Sequence, residues 1–291
     1  MHKKSNYEKI FNVGNITFMM IFSIICLYPF IHVLFASISQ PFQMMAHRGL
    51  LLYPKGITFQ AYQLVFNNPS IVTSYMNTLF YVSTGTSINV FLTVLGAYVV
   101  SRKQFLLRNH MMFFMVFTMF FSGGLIPSYI WISTMGLIDT RWALIIPGAI
   151  ATYNLIIVRT YFIGIPDSLE ESASIDGAND FLILFKIILP VAMPVIAVIT
   201  LFYGVGHWNS WFSAAIYLRN RDLYPVQLIL REILISSVTE SMTTGQTTAD
   251  REPIGETIKY ATIIIVTLPV LMIYPLLQKY FVKGIMIGAI K

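Results

Sequence analysis

Long uninterrupted apolar runs dominate this chain, with little alternation of core-facing and solvent-facing positions. A helix needs about 20 mostly apolar residues to cross the ~30 Å hydrocarbon core of a bilayer. Six segments meet that requirement: Val13–Ala36, Thr73–Val100, Met111–Met135, Trp142–Gly164, Val191–Ala215 and Lys259–Tyr280. None of the six contains an Asp or Glu. The first is too long for the apolar core of a signal peptide and lacks small residues placed for cleavage, so it reads as a retained span. The pattern predicts an all-α integral membrane protein of six transmembrane helices, in a single transmembrane domain covering residues 1–291.

Composition agrees. Hydrophobic residues make up 56% of the chain and charged residues 11%, with a mean hydropathy of +0.69. A soluble domain carries about 25% charged residues, so an ordinary soluble enzyme is excluded. Aromatic residues at 14% exclude a disordered chain. The single cysteine, Cys26, forms neither an internal disulfide nor a zinc cage.

The net charge of +6 reports orientation rather than nucleic-acid binding. Lys3, Lys4 and Lys9 precede the first span, Arg102, Lys103 and Arg108 fill the second connection, and Lys279, at the end of the sixth, is followed by Lys283 and Lys291. All fall on one side if the spans alternate, and that side is expected to be cytoplasmic, with both termini inside. The basic residues of the opposite side (Arg48, Lys55, Arg219, Arg221, Arg231, Arg251) are spread over long loops, where they weigh less.

The connections Ser37–Val72 and Ile216–Ile258 are then external, and Ile165–Pro190 is internal. The internal one reads IPDSLEESASIDGANDFLILFKIILP. Pro166 stops the fourth span, and Asp167 or Ser168 is a candidate N-cap for a helix containing Leu169–Ile175. Gly177 breaks that helix, because glycine readily adopts the backbone angles of a sharp turn. A second amphipathic stretch, Phe181–Leu189, follows, and Pro190 sets the start of the fifth span. The loop could merely link two spans. Its apolar Phe181, Leu182, Leu184 and Phe185 instead suggest a docking surface.

Here the chain resembles the permeases of bacterial ABC importers, whose internal loop is patterned E-A-A-x3-G-x9-I-x-L-P. Glu171, Ser172, Ala173, Gly177, Ile187, Leu189 and Pro190 keep every spacing, with Ser172 replacing the first alanine. Asp176–Gly177–Ala178, Trp208–Asn209, Val282–Lys283–Gly284 and Gly288–Ala289 are similar to the carbohydrate branch of that family. The resemblance implies a type I importer permease of MetI-like fold in the bacterial cell membrane. It also implies that the loop, with Glu170 beside Glu171, holds the coupling helix that docks on an ATP-hydrolysing subunit. This sequence has no Gly-x4-Gly-Lys-Ser/Thr phosphate loop. No cofactor is expected in this chain; ATP and Mg2+ would be bound by two partner ABC ATPase subunits. A second related permease chain, an extracytoplasmic solute-binding protein, membrane lipid and a carbohydrate, expected to be an oligosaccharide with room for an acidic one, complete the implied partners. No nucleic acid is expected.

Other residues are weaker signals. Tyr203, His207 and Trp211 are spaced i, i+4, i+8 and share one face of a fifth-span helix, with Trp208 beside it and Asn209 projecting elsewhere. Aromatic groups with a polar edge suit sugars, so these five are solute-path candidates, but a stripe at this spacing equally suits helix packing. For His207 a satisfied packing role is favoured. No His or Cys cluster has metal-ligand spacing, and no metal is expected. Arg159 is expected to pair with Glu170 or Glu171, the carboxylates nearest in sequence. Tyr28, Tyr75, Tyr81, Trp131 and Trp142 read as interfacial anchors. In the second external loop, Tyr224–Leu234 reads as an amphipathic segment and Ser236–Asp250 as a flexible tip, and the C-terminal tail is expected to pack on the internal loop.

Two other function classes fit poorly. A proton- or sodium-coupled carrier places ionisable groups at membrane depth, and these spans have no carboxylate. An intramembrane enzyme needs a nucleophile with a base or a metal, which lone His207 and scattered serines do not supply.

Overall fold

A computed structural model describes residues 6–243 and 252–289. Among them the regular structure is helical, apart from one isolated antiparallel bridge between Ser39 and Ile57. It divides into two compact units, Met1–Asn68 with Glu232–Leu268, and Pro69–Arg231 with Pro269–Lys291.

The first unit begins with α1 (Asn6–Ser37), 32 residues long. At 1.5 Å per residue that is about 48 Å, enough to cross a bilayer. Its apolar side chains, Phe18, Phe22 and Ile24 among them, are exposed, as suits a helix bathed in lipid. Short helices α2 (Pro41–Ala46) and α3 (Gln60–Phe66) follow. Ser37 shares a hydrogen bond of 2.8 Å with the Tyr62 hydroxyl, and the Leu51 N–H donates to the Tyr28 hydroxyl at 3.0 Å.

In the second unit, α4 (Pro69–Phe80), a π-helical turn (Tyr81–Gly85) and α5 (Thr86–Ser101) form one apolar helix of 33 residues. Next come α6 (Arg108–Phe120) and α7 (Leu125–Thr134), bent by 117° at a break where Gly124 has φ +84°. A 3-10 turn (Arg141–Leu144) and an irregular stretch precede α8 (Thr152–Ile163). Then follow α9 (Asp167–Ile175), α10 (Asp180–Leu182), a second π-helical turn (Ile183–Ile188) and α11 (Leu189–Val191). After an 86° bend come α12 (Met193–Trp208) and α13 (Phe212–Tyr217). Two helices run on from this unit into the other or back, α14 (Val226–Thr243) and α15 (Glu252–Ala289).

Helices α5, α8 and α12 pack around Val94, Ala97, Leu155, Val158, Phe162 and Ile199, and Ile183, Leu184 and Ile188 of the second π turn join the same cluster. A separate cluster gathers Tyr81, Ile132, Ile145, Tyr217 and Leu228. Between spans such contacts hold by close packing and interhelical hydrogen bonds, because lipid tails are as apolar as the side chains.

Among the described residues, length and composition alone pick out three helices able to cross a membrane, Tyr7–Ser37, Pro69–Ser101 and Gly255–Ile273, or up to five if each bent pair counts as one. The expected fourth span, Trp142–Gly164, is the exception, because its only α-helix is the 12-residue α8. Pro147 and Gly148 interrupt it, since proline has no N–H to donate and its ring clashes with the carbonyl four residues back. The Asn89 side-chain amide donates to the carbonyls of Gly148 and Ala149, both at 2.8 Å, and the Ala151 N–H donates to the Tyr203 hydroxyl at 3.0 Å. Irregular backbone is tolerated at membrane depth where protein groups satisfy it in this way.

The start of the fifth span also moves. Helix runs through Pro190 to Val191, and the bend falls at Ala192, before Pro194. The stretch read as a flexible tip is partly helical, since α14 extends to Thr243; residues 244–250 lie outside the described residues. So do the side chains of the C-terminal tail, on which the expected tail packing falls.

Candidate coupling site

The 165–190 connection is a helix–glycine–helix elbow. Pro166 occupies the N-cap of α9 without a side-chain cap, so neither Asp167 nor Ser168 takes the expected capping role. Asp167, in the first turn, instead accepts from Lys103 Nζ at 2.5 Å, and that ammonium holds its carboxyl below the usual carboxylate range. A carboxylate in the first helical turn also suits the positive end of the helix dipole.

The C-terminus of α9 closes in a Schellman motif. The Gly177 N–H donates to Ser174 O at 3.1 Å and the Ala178 N–H to Ala173 O at 3.0 Å. The motif puts a left-handed residue just past the helix, and Gly177 has φ +82°. Asn179 then caps α10, its side-chain oxygen accepting from the Leu182 N–H at 2.9 Å. Two adjacent caps, one ending a helix and one starting the next, make the turn.

Of the residues picked out by pattern, Ala173 is buried in the α5–α8–α12 cluster, and Ile187 and Leu189 pack against it. Glu171, Ser172, Asp176, Gly177 and Pro190 are exposed and Ala178 is half-buried. Ser172 returns its hydroxyl to Ser168 O at 2.8 Å, so a serine at this place asks nothing of a neighbouring helix. Leu184, read as part of a docking face, is 2% exposed inside the cluster; Phe181, Leu182 and Phe185 are exposed as expected. Ile175 adds a large apolar side chain to that surface, at 86% exposed.

The elbow is tied to the connection that follows α5. Arg102 is ion-paired with Glu170, stacks over the Tyr98 ring at 4.6 Å and donates from Nε to Ser101 Oγ at 3.0 Å. Burial lowers the Arg102 pKa from its ordinary value. A cleft of about 1060 Å3 lies between the two segments, with Arg102, Lys103 and Arg108 on one lip and Asp167, Glu170 and Glu171 on the other. Among the described residues Arg159 does not pair with a carboxylate; its Nε donates to Val100 O at 3.0 Å and satisfies a terminal carbonyl of α5. Arg102 was legible only as a basic flank, because nothing in sequence links positions 102 and 170.

The solute-path candidates do not form one stripe. Tyr203 is 7% exposed, and besides accepting from Ala151 its hydroxyl shares a 2.7 Å hydrogen bond with Thr93. His207 Nε2 donates to Asn89 Oδ1 at 2.6 Å, so Asn89 joins α5, α12 and the irregular stretch. Asn89, a polar group inside an apolar span, was the signal that sequence reading passed over. Trp208 is 5% exposed and meets Tyr75 edge-on at 5.8 Å. Because α12 ends at Trp208, Trp211 lies off the helix, half-buried, and Asn209 is exposed at the C-cap. Of the aromatic residues read as interfacial anchors, Trp131 and Trp142 are exposed, but Tyr81 is 1% exposed and donates to Leu223 O at 2.8 Å. Among the described residues, no group of His, Cys, Asp and Glu is placed to hold a metal ion.

Helices long and apolar enough to cross a bilayer, with a polar elbow emerging beside them, mark an integral membrane protein. The chain belongs to the family of binding-protein-dependent transport system inner membrane components, which it matches over residues 1–287. It is 41% identical over 284 residues to the polygalacturonan/rhamnogalacturonan transport system permease protein YtcP of Bacillus subtilis (strain 168), covering 98% of this chain and 99% of that one. It is 39% identical to protein LplC of the same organism, covering 97% and 95%. Among solved structures it is similar to a bacterial ABC transporter involved in the import of the acidic polysaccharide alginate. There the TM-score is 0.87 and the identity 33%, over 97% of this chain and 100% of that one. The chain is thus a permease subunit of a carbohydrate ABC importer, not an enzyme, with ATP hydrolysis in separate subunits. It works with a partner permease, an ATPase and a binding protein.

Proposed function

We propose that this chain forms half of the translocation path for an acidic oligosaccharide and receives energy through its 165–190 elbow. The observation that carries the reading is the elbow itself, framed by two caps and two ion pairs yet leaving Ile175 86% and Phe181 68% exposed. An apolar tip that the chain's own core does not cover suits a cleft on a soluble partner. In this reading Glu171, Asp176, Gly177 and the exposed Pro190 border the docking surface, and Glu170, Ala173, Ile187 and Leu189 seat it on the spans. Two ATPase subunits bind ATP and Mg2+, and a second related permease completes the path. ATP binding closes the ATPase pair, the docked elbows move, and the span bundles rock to open the path outward.

Six spans with both termini cytoplasmic put the elbow on the ATPase side and α14 on the side of the binding protein. The acidic character of the solute is supported by the substrates named for YtcP and for the alginate importer. Tyr203 and His207 serve as packing groups, while Asn209 and Trp211 remain accessible to solute.

Ile175→Asp and Phe181→Asp test the docking reading together. The expected result is a chain that still accumulates in the membrane but no longer co-purifies its ATPase. Retained co-purification and uptake in both variants would refute it. Single cysteines at Ser174 and Thr244 in a Cys26→Ser background are expected to label from opposite sides of the membrane. Mass spectrometry of the solute held by the co-purified binding protein is expected to find uronic acid residues.

A further inference from the structure

Asn209, Trp211, Gln227 and Arg231 meet at the end of α12. Asn209 caps that helix and Trp211 precedes α13. Gln227 and Arg231 lie four residues apart on one face of α14. Gln227 Nε2 donates to Asn209 Oδ1 at 3.5 Å, and the guanidinium carbon of Arg231 lies over the Trp211 ring, 3.5 Å from its centroid. Arg231 is exposed and makes no ion pair among the described residues.

A guanidinium stacked at this distance uses its face on the indole and keeps its in-plane N–H donors free. Those donors match a carboxylate, which accepts two of them in parallel. The adjoining amides of Asn209 and Gln227 suit hydroxyl groups, and the indole edge suits an apolar sugar C–H face. A sugar that needs both a carboxylate receptor and a hydroxyl-reading rim is a uronic acid. A neutral sugar gives an unpaired, pre-oriented guanidinium nothing to do.

We infer that Asn209, Trp211, Gln227 and Arg231 form a uronate-binding site, with Arg231 as the carboxylate-reading residue. The inference rests on the acidic-oligosaccharide reading above and adds the group that selects for the acid. Trp211 orients Arg231, and Gln227 with Asn209 sets the rim.

The test uses the assembled importer in proteoliposomes with its binding protein, supplied with trigalacturonate or with a neutral trisaccharide. Uptake and binding-protein-stimulated ATP hydrolysis are measured side by side for the wild type, Arg231→Gln, Arg231→Lys and Gln227→Ala. Arg231→Gln is expected to lower trigalacturonate uptake about tenfold, the scale of one lost charge-assisted pair. Stimulated hydrolysis is expected to persist, so that less sugar moves per ATP. Arg231→Lys is expected to recover part of the uptake, because it keeps the charge and loses the fork. Gln227→Ala is expected to reduce uptake less than Arg231→Gln. Unchanged uptake in Arg231→Gln would overturn the site, and so would hydrolysis falling in proportion to uptake, which marks a structural role. A wild type that carries the neutral trisaccharide but not trigalacturonate would instead refute the acidic reading itself.

Discussion

Arg102, at the end of α5, is ion-paired with Glu170 in α9, and both side chains are largely buried, at 15% and 17% exposed. The pair joins a span of the α5–α8–α12 cluster to the segment proposed above to dock on the ATPase. Coupling requires motion at α9 to reach the spans, and a half-solvated link would slip. Breaking one partner of a buried pair strands the other charge, at a cost on the order of 2 kcal/mol for a site with this residual exposure. Arg102→Gln and Glu170→Gln are each expected to lower the sugar moved per ATP hydrolysed. The swap Arg102→Glu with Glu170→Arg is expected to restore part of it. A swap that assembles but transports no better than either single variant would show that charge pairing is not what matters.

Gly177 sits at φ +82° with open space where a Cβ would stand, so a substitution there meets strain from the backbone angle alone. Gly177→Val is expected to cost about 1 kcal/mol or more and to abolish uptake while the chain still accumulates. Gly177→Asn is expected to keep much of the uptake, because Asn tolerates the left-handed region. Equal uptake by both variants, whether high or low, would contradict the role given to the backbone angle.

Gly85, in the first π-helical turn, leaves room for the His207 imidazole. A Cβ at this position would come within 2.5 Å of His207 Nε2 and 2.7 Å of Cε1. Gly85→Ala is expected to push His207 off Asn89 and to destabilise the purified chain by about 1–3 kcal/mol. In a His207→Ala background the same substitution is expected to cost less than half as much. Thermal unfolding in detergent of the four chains reads this coupling directly.

Asp139 takes φ +62°, and its carboxylate accepts from the N–H groups of Asn220 at 2.7 Å and Arg219 at 2.8 Å. Those backbone donors, with the nearby Arg219 charge, hold its carboxyl below the ordinary 3.8. A depressed folded-state value gives stability that is present above pH 3.8 and is lost as pH falls through the folded value. Asp139→Asn is therefore expected to lower the melting temperature near neutral pH and to converge with the wild type once pH has fallen through the folded value, below 3.8. A difference that does not shrink as pH falls below 3.8 would rule out the carboxylate as its source.

The amino-acid sequence by itself determined the helical membrane class, the elbow with its turn at Gly177, and the family pattern from Glu171 to Pro190. Each is carried by short-range physics: apolar runs long enough for a bilayer, a glycine where a left-handed angle is needed, and spacing within one loop. Tertiary structure decided everything that depends on partners distant along the chain. Pro147 and Gly148 were visible, but that the stretch around them could stay irregular at membrane depth depended on Asn89 and Tyr203, far away in the sequence. Arg159 was placed beside the wrong partner because nearness in sequence stood in for nearness in space; the fold gave Glu170 to Arg102 and Val100 O to Arg159. The aromatic stripe failed for the same reason. Helical periodicity continues on paper, whereas α12 stops at Trp208, and so Trp211 met Arg231 instead of sharing a face with Tyr203.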